Sequence, residues 1–380
     1  MQSVLFRQSE VSDPFPLYEK MLESTPIYFD DSAAIWAIYG YADCIRVLGH
    51  EHAHIPDPNA GHYHLFNPIA RQIADNLVRL SNPPHHHTIR PIVEQLFRQM
   101  KMPNIHELLE NILRPYHGKT FDWVNVIGKQ FPVLAVLAGF GIVGEDTQDL
   151  AKNVATLTKI MQPTKSPSDI EAINAACDTV YPLIERYLTE SQAIHHLMET
   201  VDDSSGRLET ILGIAVTNFI GLLIQSFDAG RGLLSNTLIQ YCGKQPIISN
   251  MKQFVIETLR FDPPVHNTRR VLAADIELGE IRLKKGDQVL IVVAAANRDL
   301  AAFDHANDFD PLRSNNDQHL TFGAGIHDCL ARHFMVDFAT DVLLYVDKHY
   351  EGTEYIMETI QYEPLVNVRL PKTLPIRLSR

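Results

Sequence analysis

One cysteine stands where thiol chemistry is easiest to support. Residues 319–332 read His-Leu-Thr-Phe-Gly-Ala-Gly-Ile-His-Asp-Cys-Leu-Ala-Arg, so Cys329 closes a stretch shaped by Gly323 and Gly325. A loop signal from Asp310 to Asp317 precedes it. A helical pattern follows, with Leu330, Phe334, Val336, Phe338, Ala339, Val342 and Leu343 as its apolar faces. A thiolate just ahead of a helix meets backbone N–H groups and the positive end of the helix dipole. That lowers its pKa and makes it a good soft metal ligand. The plainer alternative is an inert buried thiol. A second group is His86 and Arg90, which follow Asn82-Pro83-Pro84 and lie four apart, on one face of a helix. Such a pair wants an anionic partner; alternatively it is a solvated basic face. Glu257 and Arg260 are three apart and close enough to pair on their helix. Asp228 is an acid within a long apolar stretch, flanked by Gln225, Ser226 and Ala229.

Histidine-rich segments invite a metal reading. His85, His86 and His87 are adjacent, and neighbours on a helix point about 100° apart, so they do not converge on one ion. His50, His52, His54, His62 and His64 fall in a Pro-containing stretch that reads as a polar loop, with a metal site as the alternative.

The elements that must position these groups follow from periodicity. A helix over 17–23, two short strands around Asp30-Asp31-Ser32 and a helix over 41–48 open the chain. A helix follows Pro84 and runs to about Phe97. Residues 103–205 are mostly helical and amphipathic, with loop signals at 162–169 and 202–206. Residues 207–241 form one long helix whose apolar core, 211–224, is too short for a membrane span and reads as a buried central helix. Ile281-Arg-Leu and the Gly286–Val293 run read as a hairpin, and residues 368–378 as a terminal strand pair. Neither repeats nor low-complexity linkers occur.

Composition narrows the function classes. The 380 residues are 45% apolar and 21% charged, which fits a globular chain with a large core. A net charge of −13 without a dense Lys/Arg block disfavours nucleic-acid binding. Cys44, Cys177, Cys242 and Cys329 are widely spaced, so neither a disulfide framework nor a cysteine-based structural zinc site is expected. Met1 to Asp13 carries no basic or apolar leader pattern, and a cytoplasmic protein without a membrane anchor is expected.

Taken in chain order, the segments resemble the cytochrome P450 family. The Cys329 stretch fits that family's Phe-Gly-x-Gly-x-His/Arg-x-Cys-x-Gly/Ala loop at every element. Residues 82–90 resemble its Asp-Pro-Pro-x-His-x-x-x-Arg segment, and Glu257-Thr-Leu-Arg260-Phe-Asp-Pro-Pro resembles its Glu-x-x-Arg motif. Asn297-Arg298-Asp299 with Phe309-Asp-Pro resembles the meander before the loop. The matches span residues 13 to 377. The resemblance implies a mainly α fold with small β-sheets, a single domain over 1–380, and haem b between the central helix and the helix after the Cys loop. It makes Cys329 the proximal ligand, with Phe322 shielding its sulfur and Gly323 and Gly325 allowing the turn. It gives His86, Arg90, Arg270 and His327 to the haem propionates, with Arg269 as competitor to Arg270 and a surface role as the alternative for His327. Strand alternation allows only one of the two arginines to serve. Glu257 and Arg260 lock the core.

The resemblance breaks at one place. The family's oxygen-binding helix reads Ala-Gly-x-Asp/Glu-Thr-Thr. Here Asp228 keeps the acid, Gln225 and Ser226 replace the small pair, and Ala229 replaces the alcohol. The implied reaction is insertion of one O₂-derived oxygen into a small organic substrate, with electrons from a ferredoxin or flavodoxin and its reductase. Proton delivery would use a substrate hydroxyl or a water held by Ser226 or Gln225. Two alternatives stay open: other haem-thiolate chemistry (peroxygenation, oxidative coupling or cyclisation, rearrangement), and a non-catalytic haem or ligand-binding protein. In peroxide-using relatives an arginine replaces the acid itself; Arg231 falls three residues later and Asp228 remains. Pocket positions are 60–80, 162–180, 219–227, 265–268 and 366–368, suited to a medium-sized, partly polar molecule of secondary metabolism, free or carrier-bound. A redoxin would dock near Cys329, with Arg332, His333, Arg98 and Lys101 as basic contacts. A monomer is expected.

Overall fold

The computed structural model describes residues 3–144, 146–191, 197, 208–244, 250–350, 352–356 and 359–379. The chain forms two compact units: residues 1–54, 104–128 and 228–380, and residues 55–103 and 129–227. The loop expected at 202–206 lies outside the described residues.

The first unit contains all the described strands. β1 (Ile27–Asp30) and β2 (Ile35–Ile38) pair antiparallel as a hairpin. β3 is Ala53–His54, β4 Thr120–Asp122, β5 Thr268–Leu272, β6 Ile276–Leu278, β7 Ile281–Leu283, β8 Gln288–Ile291, β9 Gly352–Tyr355 and β10 Pro375–Ser379. Five of them form one sheet in the order β1-β2-β8-β5-β3. β8 is its middle strand, parallel to β2 and antiparallel to β5. The expected hairpin of 281–283 with 286–293 is therefore corrected. β7 pairs instead with β6, through a turn at Gly279, whose φ of 61° suits glycine. Val289, Leu290 and Ile291 are all buried, the pattern of a strand covered on both faces.

The terminal strand pair is also corrected. β10 pairs with β4 and β9, whereas Val368 and Pro371 make only isolated bridges to Val265 and Tyr362. Both partners of β10 are remote in sequence or too short to signal themselves. Helices Phe15–Ser24, Tyr41–Leu48, Ile105–Leu113, Met251–Phe261 and Arg332–His349 complete this unit, with a π-turn at Val124–Gly128.

The second unit is helical among its described residues: Pro68–Asn76, His85–Arg98, Phe131–Gly139, Asp146–Leu157 and Pro167–Glu190. The loop signal at 162–169 ends early. Ser166 and Asp169 form a reciprocal capping box, so the helix begins at Pro167. The central helix, Leu208–Lys244, runs further than its apolar core suggested. Its stretch Glu209–Gly243 is long and apolar enough to cross a membrane, but 78% of its most apolar window is buried in the protein. Its residues up to Phe227 belong to the second unit and those from Asp228 to the first.

Candidate functional site

The cysteine loop is built by a chain of buried polar contacts that starts at Glu257. Arg260 and Glu257 form a fully buried bidentate pair at 2.7 and 2.9 Å. A buried ion pair survives only when its remaining donors and acceptors are satisfied. Arg260 donates further to the carbonyls of Asn297, Ala306 and Asp308, each at 2.9 Å. Arg313, read only as part of a loop, lies 3.7 Å from the Glu257 carboxylate. The guanidinium thus ties one helix to the irregular 297–313 segment.

Asn297-Arg298-Asp299 divides its work. Asn297 donates to Thr321 Oγ1 at 2.9 Å and accepts from the Leu320 N–H at 2.6 Å, which fixes the entry to the cysteine loop. The Thr321 hydroxyl donates back to the Leu259 carbonyl at 2.6 Å. Arg298 lies between the rings of Phe15 and Phe261, 3.5 and 3.7 Å from their centroids. Asp299 accepts from the Tyr41 N–H.

The loop itself then turns tightly. The Gly323 N–H donates to Leu320, the Asp328 N–H to Gly325 and the Cys329 N–H to Phe322, at 2.8, 3.1 and 2.9 Å. Gly323 and Gly325 both have φ of 72°. At Gly325 a Cβ would also fall 2.7 Å from the Leu48 carbonyl oxygen. Cys329, Phe322 and His327 are half-buried, and the Arg332 guanidinium lies 5.5 Å from the Phe322 ring centroid. His319 is buried beside Phe322 and accepts from the Thr321 N–H at Nδ1. Burial, with Arg332 and Arg260 nearby, holds its pKa down to about 3.

The other candidates have definite surroundings. Arg270 is buried on β5 and donates to the Thr268 hydroxyl at 3.1 Å and the Arg269 carbonyl at 2.8 Å; Arg269 alternates with it and is half-buried. In the second unit His86 is buried in the first turn of the helix His85–Arg98. Its pKa is lowered to about 4 by burial and then by Arg90. Arg90 pairs with Glu94 one turn on, at 2.8 Å, an acidic partner that the i,i+4 spacing offers beside the expected anion. Among the described residues no three His, Cys, Asp or Glu side chains converge as a metal site.

The central helix shows what Ala229 leaves. The Ser226 hydroxyl donates to its own helix at Leu223 O, 2.9 Å, and Gln225 donates to Gly221 O at 3.0 Å. Asp228 is held by Arg231 at 3.0 Å, and Arg231 also reaches Glu363 at 3.4 Å. Burial pushes the Asp228 carboxyl above the usual range; Arg231 opposes the shift and Glu363 adds to it. The Arg231 contact was available from its spacing. Glu363 had no local signal.

The pocket segments join within each unit. In the first, the His266 N–H donates to Asn367 O at 2.9 Å, Asn267 Nδ2 donates to Val366 O at 2.9 Å, and Val265 bridges Val368. In the second, Asn67 meets Asn174 and Asp178, Gln72 donates to the Tyr181 hydroxyl at 2.7 Å, and Lys165 donates to the carbonyls of Pro58 and Gln162.

Sequence and structure comparisons find likeness to known proteins. The family profile described as Cytochrome P450 matches residues 248–335, the segment holding Glu257, Arg260 and the cysteine loop. The putative cytochrome P450 YjiB of Bacillus subtilis (strain 168) is 27% identical over 356 residues, 83% of this chain and 82% of that protein. Among solved structures, CalO2 aligns with TM-score 0.86 at 21% identity, covering 99% of each chain. P450BioI in complex with hexadec-9Z-enoic acid ligated acyl carrier protein aligns with TM-score 0.83 at 21% identity, covering 98% of this chain and 100% of that one. Residues 248–335 thus carry the cytochrome P450 family pattern, and the chain has the mainly α fold of CalO2 and P450BioI. The family's members are haem-thiolate monooxygenases that hold haem b through a cysteine.

The donor set fits that group. Within the first unit it offers one soft thiol on a loop whose backbone is already folded, with the cationic or imidazole side chains of Arg270 and His327 available for carboxylates.

Proposed function

We propose that the chain inserts one oxygen atom of O₂ into a medium-sized, partly polar organic substrate, with electrons from a ferredoxin or flavodoxin. The observation that carries this reading is the cysteine loop, with positive φ at both Gly323 and Gly325 and the Cys329 N–H bonded to Phe322 O. Cys329 would hold the haem iron through its thiolate, Phe322 would cover the sulfur, and His86, Arg90, Arg270 and His327 would hold the propionates. When bound, the haem supplies O₂ activation, and the thiolate favours O–O cleavage.

The chain's own residues carry the rest. Asp228 is the acid that holds and passes protons. Ala229 has no hydroxyl to receive them, and Ser226 and Gln225 direct their donors to their own helix. A water accepted by these side chains, or a hydroxyl on the substrate, completes the route. The segments 265–268 and 366–368 contact substrate. Docking of a redoxin at Arg332 and His333 orients the electron donor. That one structural neighbour is complexed with a loaded acyl carrier protein supports testing a carrier-bound substrate beside a free one.

The reduced protein under CO should show the thiolate Soret band, and Cys329→Ser should lose it. A Cys329→Ser protein that kept the band would overturn the assignment. The missing alcohol favours a second reading, peroxide-driven or other haem-thiolate chemistry. Turnover with peroxide equal to that with redoxin and NAD(P)H would select it.

A further inference from the structure

We propose that Arg231 and Glu363 are positioning residues for Asp228: one buried guanidinium, shared by two carboxylates, orients the acid in place of the hydroxyl that Ala229 lacks. The inference rests on the proposed role of Asp228 as the proton-passing acid.

The guanidinium is enclosed. Arg231 lies one turn after Asp228 on the central helix, and its side chain is only 5% exposed. Its Nη2 donates to Asp228 Oδ1 at 3.0 Å and its Nη1 to Glu363 Oε1 at 3.4 Å. The stem crosses the π-turn Val124–Gly128, and a Cβ on Gly128 would fall 3.1 Å from Arg231 Cγ. At Gly232 a Cβ would fall 2.4 Å from Pro264 Cβ and 2.6 Å from Leu370 Cδ2. Glycine at these two positions lets the helix and the turn close around the guanidinium. Glu363 is set by its own backbone, since its N–H donates to Leu370 O at 2.9 Å.

The contrast in exposure gives this arrangement a purpose. Asp228 keeps 32% of its side-chain surface accessible while Arg231 is enclosed. One carboxylate oxygen is anchored, and the other is free to carry a proton. An exclusive Arg–Asp pair would hold the carboxyl low. Sharing the guanidinium with Glu363 relaxes that hold, in line with the raised Asp228 pKa, to which burial contributes most. Among the described residues the charged groups facing Asp228 are Arg231 on its own helix and Glu363 on the C-terminal segment; the π-turn brings none.

The test uses the haem-loaded protein with Glu363→Gln, Arg231→Lys and Arg231→Met. Infrared titration follows the carboxyl band identified by its loss in Asp228→Asn. Glu363→Gln should move that band's midpoint to lower pH, because the Glu363 charge that disfavours ionisation of Asp228 is removed. Arg231→Met should lower the product formed per electron by about ten- to a hundredfold, as for a misplaced catalytic group. Arg231→Lys should recover the midpoint better than the coupling, because lysine restores charge without the fork. An unmoved midpoint in Glu363→Gln, or unchanged coupling in Arg231→Met, would overturn the proposal. If Arg231→Met does not fold, the Glu363→Gln midpoint decides alone. A parent protein without the thiolate band would sink the monooxygenase reading, while the infrared titration would still decide the carboxylate coupling.

Discussion

At the scale of single residues, glycines and buried charges set what the site tolerates. Gly323 and Gly325 share a φ of 72°, yet they differ in surroundings. A Cβ at Gly323 would meet only His327 O at 3.6 Å, whereas at Gly325 it would meet the Leu48 oxygen at 2.7 Å. Gly323→Ala should therefore cost about 1 kcal/mol, from backbone strain alone. Gly325→Ala should cost more, about 2–4 kcal/mol, because the Leu48–Gly49 backbone must also move. Urea midpoints and haem occupancy of the two variants measure the difference; equal losses would contradict it. Glu257 gives a larger effect. Glu257→Gln leaves Arg260 buried without its carboxylate, at a cost of about 3–5 kcal/mol, read as loss of folded protein on expression. These positions were legible in the sequence because local spacing defines them. Arg313 was not, because its relation to Glu257 is made by the path of the 297–313 segment and by no repeat or period.

At the scale of elements, what was legible depended on how far away the partner lay. Helices at 15–24, 41–48, 85–98 and 332–349 follow from apolar spacing, the first three also from a preceding Pro or Gly, and they form near the expected bounds. The hairpin and terminal strand pair failed because β8 is buried on both faces and β10 meets its partners through the chain path, which local alternation does not encode. The central helix shows the same limit. Asn218 is a polar residue inside the apolar core of that helix, and it is buried and secures the neighbouring segment. It accepts from the Val78 N–H at 2.8 Å and donates to the carbonyls of Asn76 and Ile214 at 2.8 and 2.9 Å. Asn218→Leu should cost about 1–3 kcal/mol, since Val78 and Asn76 lose a buried partner. The melting midpoint should fall. Ligand binding, followed by the haem spin shift, should weaken with it if residues 76–80 line the pocket. A stable variant with unaltered binding would remove the segment from the pocket.

At the scale of the whole molecule, the buried histidines set the acid limit of stability. His319 has its pKa held down to about 3 from an ordinary 6.5, chiefly by burial. His266 is likewise held well below 6.5, by burial and then by Arg369 and Arg298, and its Nδ1 lies 3.1 Å from the Tyr18 hydroxyl. Each depressed value means that below about pH 6.5 the unfolded chain binds a proton the folded chain refuses. The stability they contribute is complete above that value and is lost as pH falls towards the folded values. Through that window each histidine costs about 1.4 kcal/mol per pH unit. His319 is the one placed to make the loss local. Protonating it would remove the acceptor for the Thr321 N–H and put a cation beside Arg332 and Arg260 at the entry to the cysteine loop. The urea midpoint should therefore be level from pH 8 to 7 and then fall steadily to pH 5, with haem release tracking it. His319→Gln keeps an acceptor and cannot charge. It should start at a lower midpoint, because the ring's packing on Phe322 is lost, and then fall less steeply. Parallel slopes in the two proteins would show that the acid limit lies with other groups.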